Sequence, residues 1–395
     1  MAWKRTFISA FIAQVLGIIG LSFATPFLPL YVAELGIDDP GQQAFWAGVA
    51  LSAAGLTFAV FAPIWGTVAD RFGRKPMVFR AMLGGTVVMV LMSFARNVPE
   101  LILYRLLQGA FSGSLAASIS LVASVVPHRH SGLTLGMMQS AVFIGHAVGP
   151  FFGGMAADAL GYRVCFRIGA GLTLLGGVLV LAGTREEFTP RDAQASRDGP
   201  GFRAIFLLPG FLISVVIMFA VRLSNSIANP SFPLIVREFP LSPQHFNSIT
   251  GSIMGVTALA AAASSAILGH IGDKIGRRSI LVACCVGACV ASVGHYMAQT
   301  LFTLFAARIL FGFSVAGMLP SATAMIYSII DPRSIGKAYG LATSLSMLGA
   351  AAGPTLGGVL AMSVGLRFPF LVTAAAQLML AVLVLAYVRD KNRFT

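Results

Sequence analysis

The chain alternates long apolar runs with short polar connections. A helix that crosses a lipid bilayer needs about 20 predominantly apolar residues. Twelve runs approach or exceed that length, and we number them spans 1 to 12: residues 7–33, 44–69, 77–95, 99–125, 133–157, 164–183, 204–234, 244–270, 279–298, 302–329, 338–362 and 367–388. The pattern therefore predicts an all-α membrane protein with twelve transmembrane helices.

One connection is long and polar, the stretch between spans 6 and 7. We predict a six-helix bundle over residues 1–183, a cytoplasmic linker over 184–203 and a second six-helix bundle over 204–395. Composition agrees with a membrane protein, because 10% of the residues are charged, whereas soluble proteins contain about 25%.

The formal net charge is +13, and the placement of that charge predicts the orientation of the chain. Most of the 27 Lys and Arg residues fall at the two termini and in the connections that follow even-numbered spans. Cytoplasmic loops of membrane proteins are enriched in these residues. Both termini are therefore predicted to be cytoplasmic. The positive charge is explained by this topology and does not indicate a nucleic-acid partner.

The second half of the chain repeats motifs of the first half at an offset of 203 or 204 positions. The matching pairs are Gly66–Lys75 with Gly269–Arg278, Arg105 and Gly109 with Arg308 and Gly312, and Gly149–Pro150 with Gly353–Pro354. Two halves in the same orientation predict a pseudo-twofold axis along the membrane normal. Such an arrangement places a substrate site between the halves near the bilayer midplane.

These motifs resemble those of the Major Facilitator Superfamily, and the resemblance covers the whole chain. The pattern Gly66-x-x-x-Asp70-Arg71-x-Gly73-Arg74-Lys75 is similar to the superfamily's loop between helices 2 and 3. Arg105-x-x-Gln108-Gly109 resembles its helix-4 motif, and the glycines from Gly145 to Gly154 resemble its antiporter motif. Span 1, with Pro26-x-x-Pro29, is similar to the 12-helix drug:proton antiporters. The resemblance implies two pseudo-symmetric bundles, alternating access, a monomer and a bacterial inner membrane.

The resemblance also implies gates on both sides of the membrane. Asp70 is expected to meet the start of span 11 near Lys337, and Asp273 the start of span 5, because carboxylates are favourable near helix N-termini. The span 5 glycines share one face and are expected to close the outer side against span 8. The alternative for the loop charges is that they only anchor the chain by the positive-inside rule. The alternative for the glycines is ordinary close packing without a gating role. The predicted gating residues are Gly66, Asp70, Arg71, Gly73, Arg74, Gly145, Gly149, Pro150, Gly153, Asp273, Gly276, Arg277, Gly353 and Pro354.

Polar side chains inside the spans predict a substrate cavity. An ionised side chain such as Arg105 is costly at membrane depth, so it normally faces the protein interior. In span 7 a stripe of polar residues falls on one helical face, namely Arg222, Asn225, Ser226 and Asn229. A structural arginine and helix–helix hydrogen bonding are the alternatives, and Arg308 is interpreted as a vestige of the repeat. The predicted cavity residues are Gln14, Ser22, Thr25, Arg105, Gln108, Ser112, Arg222, Asn225, Ser226 and Asn229.

All 14 acidic residues lie in loops or near span ends. The predicted cavity therefore offers arginines without a carboxylate, which favours neutral or anionic amphiphiles over organic cations. Proton coupling would then need Glu34 or Asp158 near the outer ends, Asp70 at the gate, or His146, because imidazole changes charge near neutral pH. The resemblance adds Arg105 to these candidates.

These observations predict a secondary active transporter that exports small amphiphilic compounds against protons. The alternative is a specific exporter or importer of a metabolite such as an organic anion, a siderophore or a sugar derivative. The sequence contains no P-loop, metal-ligand cluster or catalytic triad. We therefore expect no enzymatic activity, no cofactor and no metal. The expected partners are a small-molecule substrate, protons and the lipid bilayer.

Overall fold

A computed structural model describes residues 2–186, 209–327 and 335–387. Within these ranges no strand occurs, and twelve helical spans are long and apolar enough to cross a membrane. The predicted all-α fold with twelve transmembrane helices is confirmed. The helices are Ala2–Ala24 and Leu28–Glu34 (span 1), Pro40–Phe72 (2), Arg74–Ser93 (3), Val98–Phe111 and Ser114–Val125 (4), His128–Leu160 (5), Tyr162–Gly183 (6), Pro209–Ile227 and Phe232–Val236 (7), Phe246–Ile275 (8), Arg277–Met297 (9), Leu301–Tyr327 (10), Ile335–Ser363 (11) and Phe368–Tyr387 (12).

Spans 1, 4 and 7 are each interrupted. In spans 1 and 7 the interruption coincides with a Pro-x-x-Pro sequence, Pro26–Pro29 in the first half and Pro230–Pro233 in the second, because proline lacks the N–H that continues a helix. Span 4 has no proline at its break. There Ser112 is extended and Gly113 adopts a φ of 117°, a conformation that side-chain-bearing residues rarely take. The sequence gives little warning of this third break.

Glycine also sets the turns of the repeated loop motif. Gly73 separates spans 2 and 3 with a φ of 95°, and Gly276 separates spans 8 and 9 with a φ of 94°. Two helices can therefore follow each other with a single residue between them. The motif repeated in the sequence thus produces the same backbone turn twice.

Close contacts group the chain into two compact units. The first consists of Met1–Ile37, Leu56–Asp192 and Pro240–Ala258, and the second of Asp38–Gly55, Ala193–Phe239 and Leu259–Thr395. The first part of span 8 thus groups with span 5, and the first part of span 2 with span 11. The division into bundles at residues 184–203 remains a prediction, and residues 187–203 of that linker lie outside the described ranges.

Small residues let the helices of each unit approach closely, as is usual in membrane proteins. In the first unit, span 1 lies against spans 5 and 6, and Gly20 faces Gly169 across the contact with span 6. In the second unit, span 7 lies against span 11. A core that includes Phe211, Met218 and Leu281 fills the space between the spans of the second unit.

Candidate substrate and gating sites

Arg105 is the most deeply buried of the predicted cavity residues that carry a charge, with 3% of its surface exposed. Its Nη1 donates to Oε1 of Gln108 at 2.7 Å, so the residue and its neighbour one turn later form a pair. Its Nε and Nη2 are buried and have no hydrogen-bond partner among the described residues. A buried guanidinium without a carboxylate partner is costly, and a role of its two unpaired nitrogens in substrate binding remains a prediction.

The break in span 4 follows this pair directly, and nearby side chains satisfy the carbonyl groups that lead up to it. Trp65 Nε1 donates to the carbonyl of Ala110 at 2.6 Å, and Thr57 Oγ1 donates to that of Leu106 at 2.8 Å. The guanidinium of Arg80 lies 3.5 Å from the centre of the Trp65 ring. Broken helices in transporters commonly line the substrate site. Trp65 and Arg80 were not predicted, because nothing in their spacing connects them to span 4.

The predicted cavity residues of span 1 occupy different environments. Gln14 is buried, and its Oε1 has no partner within the described part of the chain. Ser22 donates to the carbonyl of Gly145 in span 5 at 2.9 Å, and Thr25 donates to that of Leu21 at 2.5 Å. Gln14 therefore keeps a free acceptor, whereas Ser22 contributes to helix–helix packing. Ser112 in span 4 donates to the carbonyl of Gln108 at 2.7 Å.

The polar stripe of span 7 contacts three neighbouring spans in the second unit. Arg222 Nε donates to Ser346 of span 11 at 3.1 Å. Asn225 accepts from Gln377 of span 12 at 3.5 Å and lies 3.8 Å from the sulfur of Met318 in span 10. Asn229 is exposed, and Ser226 bonds to the carbonyls of its own helix. The contact with Gln377 favours the helix–helix interpretation for Asn225, whereas the hydrogen bonds of Ser226 stay within span 7. A cavity role for the stripe remains a prediction.

Asp158 forms the best-satisfied carboxylate in the described part of the chain. It lies at the end of span 5 and accepts four hydrogen bonds from the start of span 8. The donors are the backbone N–H and side-chain amide of Asn247, at 3.0 and 2.9 Å, and the backbone N–H and hydroxyl of Ser248, at 2.7 and 2.5 Å. A carboxylate at a helix N-terminus is stabilised by the helix dipole. We call this contact the Asp158 clasp.

The other proton-coupling candidates lack such a setting. Glu34 ends the helix of span 1 with an exposed side chain, and His146 lies on an exposed face of span 5. Asp70 is also exposed. Its expected partner near the start of span 11 is Lys337, whose side chain lies outside the described part of the chain, as does the side chain of Asp273. Their gating and coupling roles remain predictions.

The loop motif makes a contact that the sequence did not predict. Glu186, at the start of the linker, accepts hydrogen bonds from the backbone N–H groups of Arg74 and Lys75 at 2.9 and 2.7 Å and thereby caps span 3. Lys75 Nζ donates to the carbonyl of Leu181 at 2.8 Å, near the end of span 6. Its repeat partner Arg278 donates to the carbonyl of Leu385, near the end of span 12, at 2.6 Å. Lys75 and Arg278, which are equivalent in the repeat, thus bond to equivalent helix ends, those of spans 6 and 12.

Replacing Glu186 with glutamine should destabilise the start of span 3. Glutamine keeps the shape but loses the negative charge that faces the helix N-terminus, so we expect a loss of about 1 kcal/mol. The corresponding fall in Tm, measured on detergent-purified protein, is about 2 °C. Glu187→Gln makes the same charge change at the next position and serves as the control. Equal Tm values for the two variants would contradict the capping role.

The glycine stripe of span 5 has a different partner from the one predicted. The sequence predicts span 8, but Gly145, Gly149 and Gly153 lie against Ile18, Ser22 and Phe23 of span 1, respectively. Of these glycines, Gly154 faces span 8, at the carbonyl of Asn247, and the carbonyl of the predicted gating residue Pro150 lies against Gly251 of the same span. The helix geometry explains the difference, because residues four apart share one face and Gly154 is rotated away from it.

The repeat reproduces this division in the second unit. Gly349, Gly353 and Gly357 lie against span 7, and Gly358 faces Ala44 of span 2. Next to that contact, the hydroxyl of Thr355 donates to Ser52 Oγ at 2.7 Å. Spans 5 and 11 therefore each use three glycines for packing on one neighbour and a fourth for close approach to another.

Comparison with known proteins identifies the class. The sequence model of the Major Facilitator Superfamily matches residues 10–222 and 214–394. Multidrug resistance protein MdtG of Proteus mirabilis (strain HI4320) is 32% identical over 378 residues, which cover 95% of this chain and 93% of that protein. MdtG of Rahnella sp. (strain Y9602) is 33% identical over 374 residues, covering 94% and 90%.

Solved structures agree on the fold. A bacterial homologue of the human lysosomal transporter Spinster, in an inward-facing and occupied conformation, aligns with a TM-score of 0.81 and 15% identity, covering 98% of this chain and 96% of that one. The twelve spans and their motifs define a multi-pass membrane transport protein rather than an enzyme. The chain belongs to the Major Facilitator Superfamily and is a secondary active transporter.

Proposed function

We propose that the chain is a proton-coupled exporter of small amphiphilic compounds in a bacterial inner membrane, with both termini in the cytoplasm. The guanidinium of Arg105 carries this proposal, because it lies beside the break in span 4 and its Nε and Nη2 have no hydrogen-bond partner among the described residues. A site with a buried cation and without a carboxylate partner selects neutral or anionic groups. The similarity to MdtG proteins over nearly the whole chain supports export of several compounds rather than one.

An accumulation assay tests this function in cells. Expressing cells are loaded with cationic, neutral and anionic fluorescent compounds, with and without a protonophore. We expect expression to lower the steady-state content of the neutral and anionic compounds, and the protonophore to abolish that difference. Export of the cationic compounds by the wild type, as strong as that of the neutral and anionic ones, would contradict the selectivity proposed here. Export that is insensitive to the protonophore would contradict proton coupling.

The Asp158 clasp is the proposed outer gate of this transporter. Spans 5 and 8 belong to different predicted halves, so rocking of the halves has to break the four hydrogen bonds of Asp158. Ser52 and Thr355 make a smaller polar contact between spans 2 and 11, which also belong to different predicted halves. Opening towards the outside would therefore separate both pairs of spans, and the clasp is the stronger of the two contacts.

Asp158→Asn should favour the outward-open state. The asparagine side chain has the size of aspartate but no charge. Its NH₂ group would face the N–H and hydroxyl donors of Asn247 and Ser248, to which it cannot bond as an acceptor. We expect the clasp to weaken by about 2 kcal/mol, which favours opening by roughly 30-fold. The measurement is the labelling rate of Ala147→Cys by a membrane-impermeant maleimide in a cysteine-free background, because Ala147 is buried beside Gly255 of span 8. Asp38→Asn, an exposed acid near the same predicted side, is the control. An unchanged labelling rate in Asp158→Asn would rule out the gate.

A further inference from the structure

Arg308 of span 10 lies in an aromatic box in the second unit. Its guanidinium carbon is 3.9 Å from the ring centre of Phe232 and 5.3 Å from that of Phe311. The residue is 7% exposed, and its Nε is buried without a hydrogen-bond partner among the described residues. The interpretation of Arg308 as a vestige of the repeat does not explain this setting. A vestigial charge would be expected to turn towards water or to bond to backbone carbonyls.

His295 of span 9 forms another wall of the same box. Its ring stacks on Phe370 at 5.2 Å and meets Phe232 and Phe311 edge to face at 6.2 and 5.8 Å. Nδ1 lies 2.6 Å from the carbonyl of Ala291, which can only accept, so Nδ1 carries the hydrogen. Nε2 is then a hydrogen-bond acceptor, and it is buried and unpaired within the described residues.

The repeat shows what is unusual about this box. In span 4, Arg105 pairs with the amide of Gln108 three residues later. In span 10 the residue three positions after Arg308 is Phe311, which offers a ring face and no acceptor oxygen. The second half thus keeps the cation but replaces its internal hydrogen-bond partner with an aromatic wall.

Polar side chains on three neighbouring spans are paired with one another. Spans 7, 9 and 12 contribute Asn225, Ser292 and Gln377, which bond to each other: Ser292 donates to Gln377 at 3.0 Å, and Gln377 donates to Asn225 at 3.5 Å. No acidic side chain of the described residues bonds to Arg308. One unpaired donor, on Arg308, and one unpaired acceptor, on His295, therefore remain between apolar walls.

We propose that Arg308 and His295, enclosed by Phe232 and Phe311, form a binding subsite for the carboxyl group of an apolar organic acid. Guanidinium groups match the planar geometry of a carboxyl group, and one carboxyl oxygen accepts from Arg308. In the protonated form of the group, the hydroxyl donates to Nε2 of His295. The aromatic rings contact the apolar part of the acid next to its carboxyl group. This inference rests on the proposed function and names one class among its substrates.

Equilibrium binding of a matched pair of probes tests the subsite. The probes are 1-naphthylacetic acid and its methyl ester, which differ in charge and in the hydroxyl donor, and binding is measured on the purified full chain in detergent. We expect the wild type to bind the acid at least tenfold more tightly than the ester. Arg308→Gln should lose that factor for the acid and change ester binding less than twofold, whereas Arg308→Lys should lose only part of it.

A second variant, Phe311→Gln, tests the subsite even if Arg308→Gln fails to fold. Phe311→Gln rebuilds the Arg-x-x-Gln pairing of span 4 and should weaken acid binding about threefold to tenfold, because the new amide occupies the guanidinium. Equal binding of acid and ester by the wild type, or equal losses for both probes in the variants, would overturn the subsite. Because binding in detergent needs no proton gradient, failure of export alone would overturn only the proposed function. Export without an Arg308-dependent preference would overturn only this inference.

Discussion

Replacing Arg105 with glutamine should remove nearly all transport and leave the protein at least as thermostable as the wild type. The two effects have opposite signs because Nε and Nη2 of Arg105 are buried without partners among the described residues, so the ionised side chain costs folding energy. We therefore expect Arg105 to serve transport rather than stability. We expect export to fall about 30-fold or more, which corresponds to the loss of one charged hydrogen bond of about 2 kcal/mol.

Export from cells and Tm in detergent together measure this effect. Arg96→Gln removes an arginine from an exposed position next to span 3 and is the matched control, for which we expect little change in either quantity. Arg105→Lys should recover part of the activity, since it keeps the charge but not the planar geometry. A lower Tm with transport intact in Arg105→Gln would identify a structural arginine instead.

Gly153→Ala should be the most destabilising single-methyl substitution in span 5. A Cβ at this position would run into the carbonyl oxygen of Phe23, which belongs to the backbone of span 1 and cannot move aside as a side chain could. Overpacking of this kind costs about 1–3 kcal/mol, and contact with backbone places the expected loss near the upper end. The corresponding fall in Tm is about 6 °C or more.

Gly171→Ala is the control for this substitution, because a Cβ there meets no atom within 4 Å. Alanine is favoured over glycine inside helices by about 1 kcal/mol, so Gly171→Ala should be neutral or slightly stabilising. Tm and the yield of monodisperse protein in detergent measure both variants. Similar Tm values for the two would mean that spans 1 and 5 do not pack as closely as the structure shows.

The fold could be predicted from the sequence because each span and most of the helix breaks are determined by residues close together in the chain. Each span is read from the length of one apolar run, and the breaks in spans 1 and 7 follow from repeated prolines. The positions of Gly73 and Gly276 follow from the repeated loop motif. The break in span 4 depends on distant partners. Trp65 donates to the carbonyl of Ala110 from another span, and no periodicity reveals such a contact.

The candidate sites were predictable only in part, for the same physical reason. Membrane-embedded polar residues such as Arg105 could be identified from their type alone, because their burial in lipid is costly. The partners of these residues could not be identified from the sequence. Whether Asn225 faces a cavity or Gln377, and whether Gly153 faces span 8 or span 1, depends on helix rotation, which helical periodicity does not determine. The clasp of Asp158 required the approach of two spans far apart in the sequence.

Transport by purified protein in proteoliposomes tests whether proton-coupled transport depends on the buried cation of Arg105. An imposed pH gradient drives uptake of an anionic amphiphile, and its rate is compared for the wild type, Arg105→Gln and Arg96→Gln. We predict gradient-dependent uptake by the wild type and Arg96→Gln, and none above empty liposomes for Arg105→Gln. Equal uptake by all three proteins, or uptake that ignores the gradient, would contradict this role of Arg105.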